Sequence, residues 1–187
     1  MNKKIFAQLL GYSQNNLDKV TQPYILETFG VEVARCDTLE QYTDAINDAS
    51  LDRYFSKYWE NDIKKWKYSG LALVDEVNSL RPRAVLDVCC GYNEFKGKID
   101  NLIGIDPYND KADIQVSTLE YRTTQKFDVM LCLGSVNFGS RDKIISEVGR
   151  CVDLLEDGGT MFFRVNPGVQ HNKPEAKWIE FFAWNVP

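Results

Sequence analysis

Val85-Leu86-Asp87-Val88-Cys89-Cys90-Gly91-Tyr92-Asn93 decides how this chain is read. Ala84–Val88 is short and nearly all apolar, as expected of a strand buried on both faces. It ends beside an acidic residue and runs into a tight turn. Open α/β sheets bind ligands at the carboxyl ends of their parallel strands, so this turn is the first candidate site. Gly91 lacks a Cβ and lets the backbone approach a ligand closely. Asp87 would attract an ammonium group. The dinucleotide fingerprint GxGxxG and the phosphate loop GxxxxGK[ST] are both absent. Such a turn suits an uncharged or cationic ligand better than a pyrophosphate.

Working outward, Leu102–Ile105, Asp113–Val116, Phe127–Leu133 and Thr160–Val165 read as four further strands. A helix is predicted over 141–155, with Ile144, Ile145, Val148, Cys151, Val152 and Leu155 on its inner face. Ser140 caps its start, and Asp157-Gly158-Gly159 supplies the turn that stops it. Strand, turn, helix and strand in this order imply a parallel sheet with right-handed crossovers. Upstream, residues 51–66 read as an amphipathic helix with Ser50 as N-cap. A second helix covers 69–80 and ends at Arg81-Pro82, because proline disfavours α geometry in the residue before it. The expected fold is α/β, a Rossmann-like, doubly wound, mostly parallel sheet in the order 3-2-1-4-5. The expected division is an α-helical N-terminal extension, 1–67, and a Rossmann-like domain, 68–187.

The 187 residues are 44% hydrophobic, enough for a real core and too many for a disordered chain. No apolar run approaches the ~20 residues that span a bilayer, and the N-terminus lacks a secretory signal, so a cytoplasmic protein is expected. A net charge of −5 argues against a surface for duplex nucleic acid. The cysteines are odd in number (Cys36, Cys89, Cys90, Cys132 and Cys151), and three sit in strongly apolar runs. They read as reduced, buried small hydrophobes. The only close pair is adjacent and the only histidine is His171, so no metal site is expected.

Asp106 ends the strand LIGI and is followed by Pro107-Tyr108. A carboxylate there can accept two hydrogen bonds from a ribose diol, and the Tyr108 ring can lie against an adenine face. At this point the runs VLDVCCGYN, GIDPY, KFDVMLCLGSVNF and LLEDGGTMFFRVNPG together resemble the class I S-adenosylmethionine-dependent methyltransferases, over roughly residues 68–184. The GYNEFKG run is also similar to small methyltransferases encoded by tailed phages. The resemblance implies S-adenosyl-L-methionine as cofactor. It implies that Asp87, Cys89, Gly91 and Asn93 wrap the methionine moiety, and that Asp106 takes the ribose. Ser117 or Thr118 would meet the adenine amino group. Gly134 and Ser135, after the Phe127-Asp128 strand, would lie beside the reacting methyl, with Asn137 and Trp178 toward the acceptor. His171 is the candidate general base.

Cys89 and Asn93 stand where the family commonly has glycines. Asparagine tolerates left-handed geometry, and Cys89 narrows the methionine side. No cysteine follows a proline, which argues against covalent C5-cytosine chemistry. No Asn/Asp-Pro-Pro-aromatic run follows the fourth strand, which argues against exocyclic-amine methylation of DNA. A small-molecule or protein acceptor is therefore expected. Trp178, Phe181, Phe182 and Trp184 recur at helical spacing, so the last residues read as a helix and the family's C-terminal hairpin as missing. That would leave TMFFRVN as an unguarded sheet edge, open to a second copy, the N-terminal region or a partner. The alternative function is a non-catalytic structural or assembly module on the cofactor fold, for example of a virus.

Overall fold

The computed structural model describes residues 26–27, 30–31, 35, 37, 39–59, 68–164 and 181–185, the last of these as backbone. They divide between two compact units. One runs up to residue 66 and includes Phe138–Lys143; the other holds the remainder from residue 67 on.

The second unit is built on five strands: β1 (Val85–Val88), β2 (Leu102–Ile105), β3 (Phe127–Leu133), β4 (Leu155–Arg164) and β5 (Phe181–Asn185). Their order in the sheet is β2-β1-β3-β4-β5. β1 runs parallel to both β2 and β3, and β3 parallel to β4, while β5 is antiparallel to β4. All four residues of β1 are buried, as a central parallel strand requires. Both faces of the sheet are apolar. Leu86, Val88, Ile105, Met130, Cys132 and Met161 form one core with Cys151 and Leu154 of the helix α3 (Arg141–Leu154). Val85, Val129, Leu131, Leu133 and Phe162 form the other. They pack with Leu73 of the 3-10 turn Ser69–Leu73 and Val77 of the helix α2 (Val74–Ser79). Each fully buried Leu, Val or Phe contributes about 1.5–3 kcal/mol, so the alternating strand residues hold a layer on each face. This is the doubly wound α/β arrangement.

The expected third strand, Asp113–Val116, shrinks to a single parallel bridge between Ile105 and Ile114. Its sequence explains why: it offers few apolar groups, and Ile114 is left exposed. The order 3-2-1-4-5 stands, with that bridge in the third place. Two other expectations are corrected. Residues 181–185 do not form the expected helix. The backbone of 181–185 forms β5, with Phe162 opposite Ala183 and Arg164 opposite Phe181. Helical spacing of the aromatics lost to their preference for strands and to the unpaired edge of β4. β5 pairs along the edge of β4 that the sequence leaves bare. Nor is Asp157-Gly158-Gly159 a helix-stopping turn outside the sheet. α3 ends at Leu154 and β4 begins at Leu155, which is buried opposite Phe127. The next pair is Val129 with Thr160, so the residues between them bulge out. Gly158 takes a φ of 77° there.

In the first unit the helix α1 spans Leu39–Lys57. Ser50 therefore lies inside it and is not its N-cap, and residues 60–66 of the expected helix lie outside the described residues. The carboxylate of Asp48 accepts hydrogen bonds from the Ser140 N–H (2.7 Å) and Oγ–H (2.9 Å). Ser140 Oγ also accepts from the Lys143 N–H at 3.3 Å and caps the start of α3, as expected. Among the described residues no helix is long and apolar enough to cross a membrane.

Candidate functional site

The turn after β1 is left-handed at three positions. Cys89, Gly91 and Asn93 have φ of 54°, 55° and 55°. A non-glycine residue in that region costs about 1–2 kcal/mol, less for asparagine, so Cys89 and Asn93 do the conformational work of glycines at some expense. The turn is held against β2. Cys90 N–H donates to Ile105 O at 2.9 Å. Asn93 Nδ2 donates to Lys111 O at 3.0 Å and to Asp113 Oδ2 at 3.4 Å. Asp113 also accepts from the Gly104 N–H at 2.8 Å and pairs with Lys96 at 2.6 Å. Gly104 makes this approach possible. A Cβ there would stand 2.6 Å from Asn93 Oδ1 and 2.9 Å from Cys90 Sγ.

Asp106 joins the two strand ends. Its Oδ2 accepts from the Gly91 N–H at 3.0 Å, and its Oδ1 from the Tyr108 and Asn109 N–H groups at 2.8 and 2.9 Å. A carboxylate has about four lone-pair positions. Three are taken, which leaves one on Oδ2 for a hydroxyl rather than the two expected. Asp87 is treated differently. It is 2% exposed, and among the described residues its Oδ2 has no hydrogen-bond partner. Burial pushes its carboxyl up to about 8. The negative charge of Asp106 adds to the rise, and Arg164 opposes it. The two acids thus share one electrostatic neighbourhood at the tips of β1 and β2. An orphaned buried carboxyl oxygen costs about 1–3 kcal/mol, or more once charged, and a cationic donor would recover it.

At the tip of β3, Gly134 has a φ of 77°, and its N–H donates to Arg164 O at 2.8 Å. Among the described residues Ser135 Oγ and Asn137 Oδ1 are buried without partners, like Asp87 Oδ2. Thr118 is buried and faces Cys89, with Oγ1 3.8 Å from Sγ. The Ser117 hydroxyl donates to Glu120 at 2.6 Å. Tyr108 is 38% exposed. Burial raises the Cys89 and Cys90 thiols far above their usual range, so both remain neutral. Asp87, Cys89, Gly91, Asn93, Asp106 and Tyr108 therefore gather at the β1 and β2 tips, and Gly134, Ser135 and Asn137 follow β3. His171 and Trp178 lie outside the described residues.

Four residues escaped sequence reasoning: Tyr68, Gly104, Asp113 and Arg164. Arg164 carried a usable signal, being a lone charge at the end of the apolar run TMFFR, the same pattern that singled out Asp87 and Asp106. Phe127-Asp128, by contrast, lies at the opposite ends of the strands. Asp128 accepts from Arg83 Nη2 at 2.7 Å and from the Ala84 N–H at 3.3 Å, which ties the start of β3 to that of β1.

No protein-family model matches the chain, and no curated protein matches it. Solved structures do. The N-methyltransferase NodS of Bradyrhizobium japonicum WM9 is 15% identical with a TM-score of 0.43, covering 51% of this chain and 65% of its own. The sugar N-methyltransferase KedS8 of Streptoalloteichus sp ATCC 53650 is 17% identical with a TM-score of 0.48, covering 64% and 56%. The 1,6-didemethyltoxoflavin-N1-methyltransferase of Burkholderia thailandensis is 16% identical with a TM-score of 0.49, covering 62% and 60%. That structure holds 1,6-didemethyltoxoflavin and S-adenosylhomocysteine. This chain thus spans between 56% and 65% of the length of these three. All three are methyltransferases by name. At such identities the likeness concerns the fold alone, and the fold of this chain is set by its own strand order and register.

Proposed function

We propose that this chain binds S-adenosyl-L-methionine at the tips of β1 and β2 and transfers its methyl group to a small-molecule or protein acceptor. One observation carries the reading. Asp87 and Asp106 stand at adjacent parallel strand ends, across a left-handed turn whose Gly91 N–H is bonded to Asp106, while Asp87 keeps a buried oxygen without a donor among the described residues. The methionyl ammonium is a donor of the charge Asp87 lacks. The remaining lone pair of Asp106 suits one ribose hydroxyl, and the half-exposed Tyr108 ring next to it offers a surface for adenine.

When bound, the cofactor supplies a sulfonium-activated methyl that leaves by in-line displacement with its electron pair staying on sulfur. The chain's own residues have the remaining work of orientation, which can supply ~7–11 kcal/mol of barrier reduction. Ser135 Oγ and Asn137 Oδ1, both without partners among the described residues, can accept hydrogen bonds from an acceptor N–H or O–H at the β3 tip. The base proposed for an acceptor that must lose a proton is His171. The rival reading, a non-catalytic module, rested on the substituted turn and a missing hairpin. Cys89 and Asn93 adopt the geometry of glycines, so the first ground weakens.

Calorimetric titration of the full chain with S-adenosyl-L-methionine should give saturable binding; none at millimolar cofactor would remove the proposal. Incubation with methyl-labelled cofactor and fractionated cell extract then separates the two readings. Label in a metabolite or protein fraction supports transfer, and binding with no label anywhere supports the module.

A further inference from the structure

Opposite charges share one face of the sheet. Paired residues on neighbouring parallel strands point to the same side, and side chains alternate along each strand. Asp87 pairs with Leu131, and Leu133, two residues on, pairs with Arg164. Asp87 and Arg164 therefore sit on the face that carries Val85, Leu131, Leu133 and Phe162. Tyr68 packs on the same face, its ring edge-to-face with Phe95 at 5.5 Å. The Arg164 guanidinium stands over Tyr68, with Cζ 5.6 Å from the ring centroid. Its Nη2 donates to Leu133 O at 3.0 Å. Gly134 leaves room for it, since a Cβ there would stand 3.2 Å from Nη2. Burial, followed by the negative charge of Asp87, holds the Tyr68 phenol well above its usual range, so it stays a hydroxyl donor. Across the strand tips stand an acid at β2, an acid at β1 and a guanidinium at β4.

Three N–H groups of the turn are already engaged. The N–H groups of Cys90, Gly91 and Asn93 are spent on Ile105 O, Asp106 Oδ2 and Cys90 O. A carboxylate arriving here must find a side-chain cation instead of a nest of backbone amides.

We infer that Arg164, seated on the Tyr68 ring at the tip of β4, is the carboxylate subsite for the same ligand whose ammonium is taken by Asp87. The ligand class is one with a free α-amino-acid end, and the inference rests on the cofactor reading above, since the methionyl end of S-adenosyl-L-methionine is such a zwitterion. The test compares two probes by calorimetry on the full chain. One is S-adenosyl-L-methionine. The other is its decarboxylated analogue, which keeps the ammonium, the sulfonium and the adenosine.

The wild type should bind the intact cofactor about 10–100-fold more tightly, the range of a charge-assisted hydrogen bond. Arg164→Gln should bring the two affinities within about 2-fold of each other by weakening the intact cofactor alone, and Arg164→Lys should restore part of the difference. Equal wild-type affinities, or an undiminished ratio in Arg164→Gln, would overturn the inference while leaving the cofactor reading intact. Binding of neither probe would remove both. Should Arg164→Gln fail to fold, the wild-type ratio and Arg164→Lys still decide the matter.

Discussion

At the amino end of β3, Asp128 is saturated. It accepts from the Arg83 backbone and side chain and from the Ala84 N–H. At the carboxyl end of β1, Asp87 is more deeply buried and has an oxygen with no partner among the described residues. The two acids belong to neighbouring strands of one sheet. Their environments push them in opposite directions. The Arg83 hydrogen bond holds the Asp128 carboxyl below its usual range, whereas burial and then Asp106 raise that of Asp87. A satisfied charge stabilises the fold, whereas an orphaned one signals a missing partner. The amino ends of these strands are thus where structure is secured, and the carboxyl ends are where the proposed ligand would sit.

The largest effect expected from this contrast is at Asp87. Asp87→Asn should weaken S-adenosyl-L-methionine about 30–100-fold in calorimetry, whereas Asp128→Asn should move it less than about 2-fold. Equal losses would erase the distinction. The same variants separate the two acids by pH. The folded carboxyl of Asp87 titrates near 8 and the unfolded one near 3.9, so the folded state binds the extra proton between those values. Its contribution to stability therefore falls as pH rises from about 4 to about 8 and is level above. Urea melts of Asp87→Asn should lose that slope. Asp128 works the other way: its contribution is present above about 4 and is lost as pH falls through its depressed folded value.

Gly104→Ala comes next. Its Cβ would meet Asn93 Oδ1 at 2.6 Å, so a loss of about 1–3 kcal/mol in urea unfolding is expected, together with weaker cofactor binding. A neutral result would mean that the turn does not lie against β2. Asp128→Ala should cost about 1–2 kcal/mol, mostly from the Arg83 and Ala84 amides left without an acceptor, with cofactor affinity unchanged once folded protein is counted. The smallest change, about 1 kcal/mol by thermal melting, is expected for Ser140→Ala, which removes the cap of α3.

Much of the frame was legible in the chain as written. VLDV, LIGI and FDVMLCL are apolar runs too short for helices, and each became a strand within a residue of its expected bounds. Asp87, Gly91 and Asp106 were legible for the same reason, because a polar or flexible residue directly after such a run must sit at a strand tip. The failures were of another kind. Phe181–Asn185 has a spacing that fits a helix, yet β4 offered it a row of unpaired backbone groups, and pairing prevailed. Leu155 fits the helical stripe but fills a seat opposite Phe127.

The sequence by itself determined where the buried strands lie and which residues stand at their ends, because apolar runs and their punctuation are local properties. Only the tertiary structure decided what those ends mean together. That Gly104 must be bare for Asn93, that Arg164 shares a face with Asp87, and that Asp106 has one lone pair to spare all follow from register between strands distant in sequence. Register is set by the packing of whole faces against their neighbours, and no single stretch of chain contains it.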